Sequence, residues 1–201
     1  MGKSIFNIEH QQTNLSSKIV VGLERISEVF RVLLWEHAKA NGLSPIQIQI
    51  LVFIANHKAE YCTVSYLASE FNITKPTISD AIKALEKKKL IEKDYSSSDS
   101  RSYTVFLSEK GKSVVFQTEQ FANPIKDQLS VIDNVDLDQL YLTITQLIYG
   151  LNRSGLLTVQ RMCYACKFHS KTENGHFCNY LNTELQHSDI RIDCPEFEVQ
   201  L

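Results

Sequence analysis

Residues 63–95 read TVSYLASEFNITKPTISDAIKALEKKKLIEKDY, and they carry the strongest indication of the architecture. Thr63 can cap a short helix over residues 64–70, and after a tight connection Thr74 can cap a second helix that runs to about Lys88. The two helices share an inward apolar side made of Leu67, Ala68, Ile78, Ala81, Ile82 and Leu85. Two short helices joined by a tight turn, the second with a polar outer face, predict a helix-turn-helix.

The residues that follow predict a β-hairpin. Two β-prone runs, 90–95 and 101–107, enclose the Ser- and Asp-rich loop 96–100. A hairpin placed directly after the second helix of a helix-turn-helix is a wing. The predicted fold class is therefore mainly α with a small β-hairpin wing, a winged helix-turn-helix.

Long helices are predicted on both sides of this unit. Apolar residues at steps of three and four indicate one helix from about Ser17 to Ala40, and Gly42 can end it with a positive φ. A buried helix is expected to open at Ser44 and Pro45 and to reach residue 57.

On the other side of the hairpin, Ser108 can cap a helix that runs to about Leu129, with a bend near Pro124. Asp133 or Asn134 then begins a last long helix with a regular apolar stripe. The first and last helices carry more apolar surface than a three-helix core and a hairpin can cover, so we expect a homodimer joined by these terminal helices.

Hydroxyl and amine groups lie on the outer face of the second short helix, where they suit the base edges and phosphates of a DNA major groove. The candidate DNA-binding residues there are Lys75, Thr77, Ser79 and Lys83. Arg101 lies just past the wing loop, where a guanidinium could enter a minor groove or clamp a phosphate, and an ion pair with Asp99 or Asp94 is its structural alternative. A symmetric dimer predicts a pseudo-palindromic operator in double-stranded DNA.

The charge in this region leaves a second interpretation open. Residues 72–101 hold seven basic and five acidic side chains, so the local excess of positive charge is small. A winged helix that docks a protein partner, in a metal-bearing adaptor, is therefore the alternative to DNA binding.

Several short motifs in a fixed order resemble the MarR family of winged-helix regulators over residues 17–155. They are Gly42-Leu43-Ser44-Pro45-x-Gln47, Leu67-Ala68, Pro76-Thr77-Ile78-Ser79, Leu85-Glu86-x-x-x-Leu90-Ile91, Asp99-x-Arg101 and Leu107-Ser108-x-x-Gly111-Lys112. The resemblance implies a homodimeric transcription regulator with one winged helix per subunit and a small-molecule effector. It also implies that Thr77, Ser79 and Lys83 face DNA and that Arg101 is the wing-tip arginine.

Two positions depart from the pattern of that family. Lys89 stands where a glycine often ends the recognition helix, and Asp80 stands where a basic residue is common. The second change bears on operator affinity and preference.

The last 39 residues contain four of the five cysteines. Cys163 and Cys166 form a C-x-x-C pair, Cys178 follows after eleven residues, and Cys194, which precedes Pro195, follows after fifteen more. Such a set can complete one tetrahedral metal site, and a segment this small needs a staple to fold. We expect Zn²⁺. A [4Fe-4S] cluster is the alternative, because the run also resembles small cysteine-rich modules that hold one.

Roles other than metal binding are expected for the three nearby histidines and for the fifth cysteine. His169, His176 and His187 are close enough in sequence to replace one cysteine, although a surface or supporting role is expected for each. The remaining cysteine, Cys62, is expected to be a small buried residue.

The chain has 201 residues, a formal net charge of −2, and 43% apolar and 22% charged residues, which is typical of a globular protein and excludes wholesale disorder. With no secretory signal and no apolar run suited to a membrane, we expect a cytoplasmic protein. It carries no glycine-rich phosphate loop and no Ser-His-Asp set, so we expect no enzyme. The predicted organisation is a loose arm (1–16), a winged-helix and dimerisation domain (17–155) and a cysteine-rich metal-binding module (156–201).

Overall fold

A computed structural model describes residues 4–96, 103–172 and 175–200. In the described N-terminal part there are five α-helices, α1 (Ile8–Thr13), α2 (Leu15–Ala40), α3 (Pro45–Asn56), α4 (Val64–Glu70) and α5 (Lys75–Lys87), and a one-turn 3₁₀ helix at Ala59–Tyr61. Then come β1 (Ile91–Asp94), β2 (Thr104–Leu107), α6 (Glu109–Thr118), α7 (Asn123–Leu129) and α8 (Asn134–Arg153). The C-terminal part has β3 (His169–Thr172), β4 (Gly175–Cys178) and β5 (Thr183–Leu185), with one-turn 3₁₀ helices at Cys163–Ala165 and His187–Asp189.

The winged helix forms around α3, α4 and α5. Helix α3 is buried as predicted, and the side-chain oxygen of Gln47 accepts a hydrogen bond from the Ser44 N–H at its start. The main core also receives the inward sides of α4 and α5, together with Val105 from β2 and Val115 from α6. Strands β1 and β2 pair antiparallel, with Ile91 opposite Leu107. These observations confirm the helix-turn-helix and the hairpin.

Three helices of this region end in the same way. The residue after the cap takes a positive φ, 60° at Gly42 after α2, 52° at Asn72 after α4 and 59° at Lys89 after α5. In each case the next N–H reaches back to a carbonyl five residues earlier, which satisfies a helix end. The glycine at the first of these ends is expected from the sequence. At the third end, Lys89 takes a left-handed backbone conformation, which is unfavourable for a residue that has a Cβ atom.

Glycine is required at one further position, where α6 crosses the end of α5. A Cβ atom on Gly111 would lie 2.0 Å from the carbonyl oxygen of Leu90. The hydroxyl of Ser108, which caps α6, donates to the carbonyl of Lys89. The residues of the motif Leu107-Ser108-x-x-Gly111 therefore allow the start of α6 to pack closely against the chain that leads into the hairpin.

The structure corrects two predictions. Residues 1–16 were expected to be loose, but Ile8–Thr13 forms α1, which Asn7 caps through its side chain. The single bent helix expected from Ser108 to Leu129 is two helices, because the chain leaves α6 after Thr118 and starts α7 at Asn123, with Pro124 in the first turn. Among the helices within the described residues, none is both long and apolar enough to cross a membrane.

The C-terminal residues form a small three-stranded sheet in the order β3-β4-β5, all antiparallel. None of these strands is predicted from the sequence pattern. The one-turn helix His187–Asp189, which follows the sheet, packs against α8, and the Tyr141 hydroxyl of α8 donates to the carbonyl of Ile190. We call residues 156–201 the cysteine module.

Candidate nucleic-acid interface and four-cysteine cavity

The outer side of α5 is the candidate nucleic-acid interface. Thr74 caps the helix, and its hydroxyl accepts from the Thr77 N–H at 3.3 Å. Lys75, Thr77 and Lys83 are exposed and Ser79 is half-buried, whereas the opposite side of the helix is fully in the core. We call Lys75, Thr77, Ser79 and Lys83 the recognition face. The free N–H groups and the partial positive charge at the helix start suit an anion such as a phosphate.

The recognition face carries one internal ion pair. The Lys83 ammonium lies 3.1 Å from a carboxylate oxygen of Asp80, and both side chains are well exposed. An exposed pair of this kind contributes little to stability. Its main effect is to reduce the positive charge that the face offers to a polyanion.

The hairpin is fixed beside this face by the main chain. The Val105 N–H donates to the carbonyl of Cys62 at 2.9 Å, and Thr104 forms a β-bridge with Thr63, the cap of α4. Strand β2 is therefore attached to the start of the helix-turn-helix. The tip of the hairpin, including the predicted wing arginine Arg101, lies outside the described residues.

Four cysteines of the cysteine module line one cavity of about 480 Å³: Cys163, Cys166, Cys178 and Cys194. Cys163 and Cys166 sit on a single turn, with the Cys166 N–H donating to the Cys163 carbonyl at 2.9 Å. Cys178 ends β4, and the N–H of Cys194 donates to the carbonyl of Arg161 at 3.0 Å. The fold thus brings the four predicted ligands to one place.

All five thiols of the chain are free. Burial raises the pKa of the Cys163 thiol, and the sulfurs of Cys194, Cys166 and Cys178 act in the same direction, whereas the N–H of Arg191 acts to lower it. Nowhere in residues 4–96, 103–172 and 175–200 do three or more His, Cys, Asp or Glu side chains form a group that could hold a metal ion.

The three histidines of the cysteine module stack beside the cavity. His169 Nε2 lies 2.9 Å from His176 Nδ1, and the rings of His176 and His187 are 5.6 Å apart. Burial, followed by the neighbouring charged groups, lowers the pKa of His169 and of His176. Cys62 is 1% exposed, which confirms that it is a buried residue, and burial raises its pKa to about 11.

Arg161, which no local sequence pattern marks, joins the cysteine module to the winged helix. The Arg161 side chain is 6% exposed, and its guanidinium donates to both carboxylate oxygens of Asp193, at 2.6 and 2.9 Å. It also donates to Glu70 at 2.6 Å and to the Tyr66 hydroxyl at 2.7 Å, and both of these residues belong to α4. We call this network the Arg161 joint.

The Arg161 joint is attached directly to the cavity. Arg161 lies two residues before Cys163, and Asp193 directly precedes Cys194. The second oxygen of Asp193 also contacts His57 Nε2 at 2.7 Å, at the end of α3. Burial acts to raise the pKa of Asp193, but the hydrogen bonds from Arg161 and His57 outweigh it, so the pKa is lowered.

The comparisons with known proteins define the class of the fold. Residues 41–102 match the model of the MarR family. The chain is similar in structure to MepR of S. aureus in a complex with DNA, with 21% identity over 66% of this chain and 97% of that chain and a TM-score of 0.58. The chain is also similar in structure to the transcriptional regulator PA3341, with 21% identity over 67% of this chain and 98% of that chain and a TM-score of 0.58.

A MarR-family transcriptional regulator from Rhodococcus sp. RHA1 matches with 17% identity over 67% of this chain and 96% of that chain, at a TM-score of 0.54. No curated protein matches the chain. At these identities the matches establish a winged-helix fold of the MarR type, in agreement with the predicted fold class. About a third of this chain lies outside each of these structural matches.

Proposed function

We propose that the protein is a sequence-specific transcriptional regulator that binds double-stranded DNA as a homodimer. The observation that carries the proposal is the two-sided character of α5, whose Ile78, Ile82 and Leu85 are fully buried while the recognition face opposite them is open. A capped helix of this size fits a major groove. The structure of MepR with DNA supports the same role for this fold.

The homodimer is supported by the apolar surface of the two long helices. On α2, Ile19, Leu23, Ile26 and Phe30 are 40–53% exposed, and on α8, Leu140 and Leu147 are 40% and 43% exposed. Trp35, near the end of α2, is 58% exposed. Surfaces of this kind are covered in a stable protein, and a second copy of the chain offers a matching one. We expect sedimentation to give a dimer that Ile26→Glu converts to a monomer.

Binding of fluorescent genomic fragments tests the DNA proposal. Lys75→Ala should weaken binding to all sequences and reduce the slope of log affinity against log salt by about 1, because one phosphate contact is lost. Asp80→Asn should tighten binding, since it frees Lys83 from its ion pair. Lys126→Ala, an exposed lysine on α7, is the control and should change neither quantity.

The side chains that read sequence are tested separately. Ser79→Ala should lower the discrimination between operator and random DNA by about 1–3 kcal/mol if its hydroxyl meets a base edge. Arg101→Ala, at the wing residue, should weaken binding and flatten the salt dependence. Failure of the protein to bind any fragment would favour the adaptor function, in which the winged helix docks a protein.

We further infer that Cys163, Cys166, Cys178 and Cys194 hold one metal centre. Their shared cavity supports this inference, and thiolates are the ligands of both Zn²⁺ and a [4Fe-4S] cluster. Such a centre would supply the folding energy that the small module lacks. Elemental analysis should find metal that Cys166→Ser removes and that Cys62→Ser, outside the cavity, retains.

The centre is either structural or sensory. If metal-free protein binds operator DNA as tightly as the loaded protein does, the role is structural. A change in affinity on metal removal supports sensing. The small-molecule effector implied by the MarR resemblance and the cytoplasmic location remain predictions that belong to the same proposal.

A further inference from the structure

The two chain segments that carry Cys163 and Cys194 run side by side. The Cys194 N–H donates to the carbonyl of Arg161 at 3.0 Å, and the Cys163 N–H donates to the carbonyl of Arg191 at 3.1 Å. Arg161 and Asp193 also form a parallel β-bridge. Each segment therefore carries one cysteine of the cavity and, one or two residues away, one side chain of the Arg161 joint. A displacement of either cysteine is expected to displace the joint.

The other end of the Arg161 joint lies on the helix-turn-helix. Arg161 donates to Tyr66 and Glu70, which are one turn apart on α4. The Thr158 hydroxyl donates to the carbonyl of Ser69 on the same helix. Only a short turn separates α4 from α5, and the inward sides of the two helices share one core. The position of α4 therefore bears directly on that of the recognition face.

The contact between Arg161 and α4 is of a kind that is either formed or lost. The side chains of Arg161 and Glu70 are 6% and 20% exposed, and the shortest distance between their charged atoms is 2.6 Å. A pair with so little access to water is favourable only while both partners are in place, because separation leaves an unpaired charge. A small shift of the cysteine module is therefore expected to break the contact rather than to stretch it.

We propose that the Arg161 joint couples the four-cysteine site to the helix-turn-helix, so that an occupied site holds α4 in place and raises the affinity for operator DNA. The inference rests on the metal centre and the DNA binding proposed above, and it adds the route and the direction of their coupling. Four bound thiolates fix the segments that carry Arg161 and Asp193, whereas an emptied site leaves a segment too small to fold without a staple. Loss of the joint then loosens α4, and a looser helix-turn-helix loses more entropy when it binds DNA. Arg161 is thus a positioning residue that acts on DNA through α4.

The test compares the operator affinity of the full chain with its site loaded and with its site emptied. The metal is removed by a chelator in the presence of a thiol reductant and added back anaerobically, either as Zn²⁺ or as ferrous iron with sulfide, and elemental analysis follows each step. We expect the loaded protein to bind operator DNA about five- to tenfold more tightly, the lower part of the usual range for coupled sites. By linkage, operator DNA should tighten metal binding by the same factor.

Variants on the α4 side test the route. Tyr66→Phe and Glu70→Gln weaken the joint while Arg161 keeps its bonds to Asp193, so the module retains its own contacts. Each should reduce the ratio between the loaded and the emptied affinity, and the double variant should make the two affinities equal. The ratio is measured because the change of charge at Glu70 acts on both states. Tyr61→Phe is the matched control, since the Tyr61 ring packs on Tyr66 at 4.7 Å but its hydroxyl is outside the joint, and it should keep the full ratio.

A competing route runs through α8, because the Tyr141 hydroxyl bonds to the carbonyl of Ile190, a residue that lines the cavity. If Tyr141→Phe removes the coupling and the α4 variants retain it, the signal passes through α8 and the proposal is overturned. Hydrogen exchange without DNA gives an independent measurement. Emptying the site should speed the exchange of the α4 amides in the unaltered protein and should have no such effect in the double variant.

The same samples distinguish the coupling from the two proposals on which it rests. Equal operator affinity of the loaded and the emptied protein overturns the coupling and leaves the metal centre and the regulator in place. Absence of metal after both additions overturns the metal centre and the coupling together. If the loaded protein binds no DNA, the regulator proposal fails, and the exchange of the α4 amides decides whether the joint transmits occupancy of the site.

Discussion

The described part of the winged-helix segment, residues 44–96 and 103–118, packs fifteen buried residues into its main core, whereas the described part of the cysteine module buries four apolar residues. Those four are Met162, Cys166, Leu185 and Ile190. A segment with so small a core does not fold on apolar burial alone. The first region is therefore stabilised by its own packing, whereas the second depends on cross-links, namely the Arg161 joint and the proposed metal centre.

The Arg161 joint is one of the places where the two regions meet, and disturbing it should be costly. Burial acts to lower the pKa of Arg161, but the bonds to Asp193, Glu70 and Tyr66 outweigh it, so the guanidinium stays charged. A charge in such a site is favourable only while its partners remain in place. The largest effect on the module should therefore come from this side chain.

We expect Arg161→Met to lower the free energy of unfolding by about 2–4 kcal/mol, because it leaves Glu70 and Asp193 without their partner. The expected loss is smaller than for a fully buried pair since the Asp193 side chain is 43% exposed. Urea denaturation measures it, and protease sensitivity of residues 156–200 reports release of the module.

Lys167→Met is the matched control for this variant. Lys167 pairs with Glu198 within the module, but the two side chains are 44% and 57% exposed. Its loss should cost less than about 1 kcal/mol. If Arg161→Met is as mild as this control, other contacts hold the module against the winged helix and the Arg161 joint does not stabilise it.

A second variant tests whether the winged helix depends on close packing. Gly111→Ala should cost about 3 kcal/mol, the upper end of the usual price of overpacking, because the new Cβ meets the backbone carbonyl of Leu90. Gly150→Ala on α8 is its control, since an added Cβ would meet no side chain and no other element within 4 Å, and it should be neutral or slightly stabilising. Thermal unfolding of both variants gives the difference. Equal stability of the two would show that α6 can move away from the hairpin.

Local signals made the winged helix predictable. Thr63 and Thr74 cap helices that begin where the sequence indicates, and α4 spans the predicted residues 64–70. Helix α3 was recognised from its Ser-Pro start and its continuous apolar run. Each of these sequence signals lies within a few residues of the helix that it specifies.

The parts of the fold that the sequence does not predict depend on contacts between residues distant in sequence or on short polar segments. Arg161 meets Glu70 and Asp193 across 91 and 32 residues, which no local pattern reveals. Strand β3, with the sequence HSKT, has no apolar alternation, so it gave no strand signal. The four cysteines were found because C-x-x-C spacing is itself local, whereas the width of the cavity they line follows from the folded sheet.

The smallest predicted change in stability concerns the end of α5, and it is an increase rather than a loss. Lys89 holds a φ of 59° in the same hydrogen-bonded end that Gly42 forms after α2, with the Leu90 N–H donating to the Leu85 carbonyl. A residue with a side chain loses about 1–2 kcal/mol of stability in this conformation. Glycine avoids that loss, but it also raises the entropy of the unfolded chain, which offsets part of the gain. Lys89→Gly should therefore stabilise the protein by about 0.5–1 kcal/mol.

Gly42→Ala is the mirror experiment, because it introduces a side chain at the equivalent position with no neighbouring atom within 4 Å to clash. It should destabilise by about 1 kcal/mol through backbone strain alone. Urea denaturation of the two variants side by side measures both changes. Opposite signs would show that backbone conformation, independent of packing, sets stability at these helix ends, while a loss in Lys89→Gly would mean that the lysine side chain contributes more than its strained φ costs.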